Sequence, residues 1–140
     1  MSGGDERRIL ALDPGARRVG LALSDPLGIT AQGLTTFDTR DGDLVTHLRA
    51  LVAKHDVVRI VVGYPLSLAG RETDASRDAV ALAEQLRGAL GLPVDMWDER
   101  LSSAEAERTL RGSRAGKGAV DRIAAVLILQ GYLDANRGAR

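Results

Sequence analysis

Four acidic side chains stand where the chain should be entering or leaving a hydrophobic core. Asp13 follows Ile-Leu-Ala-Leu, Asp98 and Glu99 follow Pro-Val-Asp-Met-Trp, and Asp121 falls in the first turn expected of the most apolar helical stretch. Elsewhere the acids fall mostly in polar loops or on polar helix faces. Two carboxylates about 4 Å apart repel by roughly 4 kcal/mol at an effective dielectric near 20. Three converging acids would raise one another's pKa or require a cation. An all-oxygen donor set suits Mg²⁺ or Mn²⁺ rather than zinc. Paired ions of that kind, about 3.5–4 Å apart, can activate a water and stabilise the leaving oxygen of a phosphodiester. The pattern alone leaves plainer readings open: an acid before Pro14-Gly15 forms turns, and Asp121 can cap its helix.

Composition narrows the chemistry. The 140 residues contain no cysteine, which excludes disulfides, thiolate zinc sites and a Cys nucleophile. His47 and His55 are the only histidines, too few for a multi-histidine metal site. Net charge is zero, so no protein-wide attraction for nucleic acid follows. Seventeen of the basic residues are Arg and two are Lys. The planar Arg fork suits phosphate, although a GC-rich genome produces the same bias. Charge is concentrated locally, where Arg108, Arg111, Arg114, Lys117 and Arg122 face one acid, Asp121. Such a run fits a phosphate-facing surface and equally a solvated one. MSGGDERR lacks the apolar stretch of a signal peptide, and Ala124–Leu129 is far shorter than the roughly 20 residues that cross a bilayer. A cytoplasmic protein with no membrane partner is expected.

The elements that must position the acids can be read from periodicity. Residues 8–13 and 19–24 form a hairpin about Pro14-Gly15, and 31–37 forms a third strand. Asp41 is the expected cap of a helix carrying Leu44, Leu48, Leu51, Val52 and His55. "RIVVGYP", 59–65, reads as a strand buried on both faces. A second helix carries Ala79, Leu82, Ala83, Leu86 and Leu90, and Gly91 and Pro93 stop it. "PVDMW" gives a fifth strand. Ser102 and Glu105 form a capping-box pattern opening a third helix. "RGSRAGKGA" reads as a loop, and "VDRIAAVLILQGYLDANR" as a buried final helix. The expectation is an α/β domain over residues 1–140, with a mixed five-stranded sheet. Its opening strands are antiparallel, its later ones parallel, and helices flank it.

The stretches "LALDPGARRVGLALSDPLGITAQGL", "IVVGYPLSLAGRE", "WDERLSSAEAERTL" and "VDRIAAVLILQGYLD" together resemble the YqgF, or RuvX, family. The resemblance spans roughly residues 8 to 136. It implies a ribonuclease H-like fold and a metal-dependent nuclease of precursor 16S rRNA, or a Holliday junction resolvase acting on branched DNA. It also implies that Asp13, Glu99 and Asp121 are the carboxylates that hold Mg²⁺ or Mn²⁺. The sequence departs from the common pattern at Pro14, Ala16, Tyr64, Ser67 and Ser103, none of them a ligand. Gly15, Arg17, Arg18, Tyr64, Arg100 and the basic loop 111–118, with Arg111, Arg114 and Lys117, are then the candidate substrate contacts. Tyr64 reads more readily as packing, and Arg100 equally as an ion-pair partner of Asp98. Precursor rRNA and single-stranded or branched DNA are the candidate partners, bound by a monomer or, for a resolvase, a homodimer. The rivals are a non-catalytic nucleic-acid-binding domain of the same fold and a sugar or acetate kinase. The three retained acids argue against the first, and the single short domain against the second.

Overall fold

A computed structural model describes residues 8–15, 17–65, 69–99 and 117–136, with side chains of the last helix from Ile123 onward. Arg8–Asp13 (β1), Arg18–Ser24 (β2), Ala31–Asp38 (β3), Val57–Tyr64 (β4) and Val94–Asp98 (β5) form one sheet in the order β3-β2-β1-β4-β5. β2 is antiparallel to β1 and to β3, whereas β4 is parallel to β1 and to β5. Helices Leu44–His55 (α1), Asp74–Leu90 (α2) and Lys117–Asn136 (α3) cover the sheet. This is the mixed five-stranded architecture expected. The capping-box helix, together with Arg100, Arg111 and Arg114, lies outside the described residues.

The apolar runs of β1 and β4 are continuous because both faces are buried. Leu10, Leu12, Leu21, Leu23, Ile60 and Val62 pack toward α1 and α2. Ile9, Ala11, Ala22 and Val61 alternate with them and pack against Ala124, Ala125, Ile128 and Leu129 of α3. The small residues on that second face let α3 lie close to the strands. Each fully buried Leu or Ile contributes roughly 1.5–3 kcal/mol of transfer free energy, and the core is built mostly of such side chains, with Phe37 a buried aromatic among them.

Two helix starts differ from expectation. Asp43, not Asp41, caps α1: its side chain accepts from the Thr46 N–H, whereas Asp41 ends a single 3-10 turn. Lys117 and Gly118 belong to α3 rather than to a loop, because helical hydrogen bonding overrides the low propensity of one glycine. Asp121 is consequently the fifth residue of the helix, beyond the first turn where the helix dipole acts most strongly.

The β2–β3 turn is built by Asp25, whose Oδ1 accepts from the Ile29 and Thr30 N–H groups at 2.7 and 2.9 Å. Partial desolvation raises the Asp25 pKa, but the backbone donors, Thr30 foremost, outweigh it and hold the carboxyl below 3.8. The folded state therefore prefers the ionised form. Its contribution is complete above pH 3.8 and is lost as pH falls through the depressed value. Asp25→Ala should cost about 1 kcal/mol in urea unfolding at neutral pH. The difference from wild type should shrink in acid, and a constant difference would refute this role.

Candidate active site

Asp13 and Glu99 are two of the few buried polar residues, 4% and 2% exposed. Asp13 is the last residue of β1, and Glu99 follows β5 directly, so both stand at the carboxyl ends of parallel strands. In open α/β sheets this is the end where ligands bind. Strand alternation gives them a common face. Asp13 continues the series Ile9, Ala11, and Glu99 follows Trp97 at the same spacing; Ile9, Ala11 and Trp97 all pack with α3.

β4 runs between them. With strands about 4.8 Å apart, the backbones of the two acids are roughly 10 Å apart. Gly63 fills the interval. A Cβ built there would lie 3.2 Å from Glu99 Oε2, 3.4 Å from the Leu12 carbonyl oxygen and 2.6 Å from Ile128 Cδ1. The Glu99 carboxylate thus reaches across one strand spacing and stands over Gly63, next to the strand that ends in Asp13. A side chain at position 63 would occupy that space. Sequence reasoning placed Gly63 within a buried strand and missed this role. The one signal was a glycine interrupting an otherwise β-branched strand, which marks a close approach.

The direction of α3 places Asp121 at the same end. Ile128 touches the Gly63 position, near the carboxyl end of β4, while Tyr132 donates to Asp95, near the start of β5. Residues before Ile128 therefore run toward Asp13 and Glu99. Asp121 precedes Ala124, Ala125 and Ile128 by three, four and seven residues along the helix.

This donor set fits a hard divalent cation. Two buried carboxylates share one sheet face, the glycine between them leaves a cradle, and the chain has no thiol to favour a softer metal. Among the described residues no group of three ligating side chains closes a site.

The other expected contacts separate. Arg18 lies on the acid face: Val19, Leu21 and Leu23 point into the α1–α2 core, leaving Arg18, Gly20 and Ala22 on the opposite side. Gly20 is the partner of Asp13, two residues beyond Arg18. Arg17 instead donates to Asp38 Oδ2 at 3.3 Å, beside Arg40 on the same carboxylate. An exposed pair of this kind is worth at most about 1 kcal/mol and can yield to a stronger anion. Gly15 answers a local need, since a Cβ there would lie 2.6 Å from the Arg18 carbonyl oxygen. Tyr64 packs with the α1–α2 core, its hydroxyl donating to Glu72 Oε2 at 3.3 Å, on the face opposite the acids. Burial and the Glu72 charge hold its phenol above 10. Lys117 opens α3, and its side chain lies outside the described set.

Comparison with known proteins gives the family and the fold. A family model described as "RuvX: Holliday junction resolvase" matches residues 7–135. A relative from Koribacter versatilis named "Putative pre-16S rRNA nuclease" is 50% identical over 134 residues, 91% of this chain and 86% of that one. A relative of the same name from Syntrophus aciditrophicus is 49% identical over 133 residues, 91% of this chain and 89% of that one. Among solved structures, a Thermus thermophilus RuvC in complex with a Holliday junction substrate superposes with a TM-score of 0.61 at 16% identity, covering 94% of this chain and 96% of that one. That likeness is one of fold, and RuvC has the ribonuclease H-like fold expected from the sequence.

Proposed function

Because the chain belongs to the RuvX family of Holliday junction resolvases, we propose that it is a metal-dependent nuclease whose substrate is the 5′ region of precursor 16S rRNA. The observation that carries this reading is the pair of buried carboxylates, Asp13 and Glu99, on one sheet face across Gly63. The names of the relatives at 49–50% identity supply the substrate. The whole of residues 1–140 serves as one nuclease domain, acting in the cytoplasm. Among the described residues no helix is long and apolar enough to cross a membrane.

Asp13, Glu99 and Asp121 hold Mg²⁺ or Mn²⁺. Bound there, the ion supplies Lewis-acid charge at the scissile phosphate and lowers the pKa of water. The protein's own share is to hold the acids before substrate arrives. β1 fixes the Asp13 carboxylate at its last residue and β5 fixes Glu99 just past its end, and Gly63 keeps the space beside Glu99 Oε2 open. Arg18, on the acid face, forks onto a neighbouring phosphate oxygen. Arg17 joins it by exchanging the exposed Asp38 carboxylate for phosphate. Arg100, Arg111, Arg114 and Lys117 extend the contact along the nucleic acid, while Tyr64 supports the cleft wall from the core side.

The family description favours a second reading, a resolvase of four-way DNA junctions. A resolvase cuts two opposed strands and must pair two copies symmetrically, whereas an rRNA nuclease can act as a monomer. Labelled precursor rRNA fragment and four-way junction, each incubated with protein and Mn²⁺, separate the two. The rRNA fragment should be cut and the junction left intact, with EDTA stopping the reaction. Paired symmetric cuts in the junction alone would establish the resolvase reading. Tight binding without cleavage of either would make the protein a non-catalytic nucleic-acid-binding domain.

A further inference from the structure

At the opposite pole of the sheet the chain gathers positive charge that the active site does not use. Arg8 is the first residue of β1, and its partner in the parallel ladder is Val57, the first of β4. α1 reaches β4 through one residue, Asp56, held left-handed at φ 55°. That tight link brings the last two residues of α1, Lys54 and His55, beside Arg8. These three and Asp56 line a hollow of about 250 Å³. Among the described ion pairs none involves Arg8 or Lys54.

We propose that this hollow is an anion site that takes a phosphate group, held by Arg8, Lys54 and His55. Where the phosphate belongs to nucleic acid, the assignment rests on the nuclease reading above. The site then grips a part of the strand remote from the cut, because five residue rises of about 3.3 Å separate Arg8 from Asp13 by roughly 17 Å. Basic residues in the last turn of a helix also offset its dipole, and that alone accounts for Lys54 and His55. It does not account for Arg8, which arrives from a different element. Desolvation, then the charges of Lys54 and Arg8, hold the His55 imidazole below 6.5. Asp56, the acid lining the hollow, does not reverse this. An anion seated among the three would relieve that repulsion, and dipole compensation would not respond to one.

The test follows the His55 ring resonances by NMR through a pH titration in EDTA, at constant ionic strength. Its arms are no addition, inorganic phosphate, and a short single-stranded RNA; a His55→Gln variant assigns the signals. Phosphate and RNA should each raise the His55 pKa. Arg8→Gln/Lys54→Gln should raise it without ligand and abolish the response to both. His47 resonances and the melting curve of the double variant report whether its fold persists. The double variant should also reduce the slope of log affinity for single-stranded RNA against log salt by about 1.4, the loss of two contacts. A response to phosphate but not to RNA would make free phosphate the source and overturn the nucleic-acid assignment. No response to either would overturn the site. The titration needs no cleavage, so a protein that binds phosphate here yet never cuts RNA would refute the nuclease reading and leave this one standing.

Discussion

Asp13→Asn is expected to abolish cleavage of precursor rRNA while making the metal-free protein more stable. The two effects share one cause. Asp13 is buried at the end of a strand whose neighbours are aliphatic, on the same face as the Glu99 carboxylate. Two carboxylates buried on one face repel each other, so removing one charge relieves the fold by on the order of 1 kcal/mol. Removing it also removes a ligand. The charge stabilisation that a divalent ion gives a phosphoryl transition state is worth several kcal/mol, and each 1.4 kcal/mol or so is a factor of about ten in rate. A loss of about a thousandfold or more follows. Melting curves should therefore cross. Without metal the variant melts higher; with Mn²⁺ at about a hundred times its dissociation constant, wild type gains about 2.7 kcal/mol and overtakes it. An Asn variant that still cuts RNA, or one that loses stability without metal, would refute the assignment of Asp13.

Gly63→Ala should come next in size, and its effect divides into two separable parts. The new methyl would meet Ile128 Cδ1 at 2.6 Å and Glu99 Oε2 at 3.2 Å. The first contact is overpacking against the end of a flexible side chain and should cost about 1–3 kcal/mol of stability. The second displaces a carboxylate from its working position, and losses of about 10–100-fold in metal affinity or activity are usual for such a disturbance. Adding Ile128→Val removes the Cδ1 atom and should recover most of the stability. Activity should stay low in the double variant, because the methyl still faces Glu99. Full recovery of cleavage in Gly63→Ala/Ile128→Val would mean that Gly63 serves only packing against α3.

Much of this arrangement was legible in the sequence, for reasons that particular residues make clear. Pro14-Gly15 between two aliphatic runs announces the β1–β2 hairpin, and the tight approach of Gly15 to Arg18 is why glycine stands there. Asp13 and Glu99 stand out because each ends an apolar run, and a buried acid is expensive enough to need a purpose. The role of Gly63 was not legible, because it is created by Ile128, far along the chain, and by a carboxylate on the neighbouring strand. Arg17 illustrates the same limit: its partner Asp38 is brought to it by the β2–β3 pairing. Asp41 and Asp43 flank one glycine and read alike as caps; only the backbone path places the Asp43 carboxylate at the Thr46 N–H. The basic cluster at Arg8 is invisible for a related reason, since the parallel ladder between β1 and β4 joins residues 49–50 positions apart and so brings Arg8 beside Lys54 and His55.

The central claim is that carboxylates from distant parts of the chain gather at one sheet end to hold a hard divalent ion. Anomalous diffraction from crystals soaked in Mn²⁺ tests it most directly. The account predicts a strong peak on the α3 face beside Gly63, within coordination distance of carboxylate oxygens from Asp13, Glu99 and Asp121, and absent in Asp13→Asn. A site with no peak, or Mn²⁺ bound elsewhere while those three side chains point apart, would contradict it.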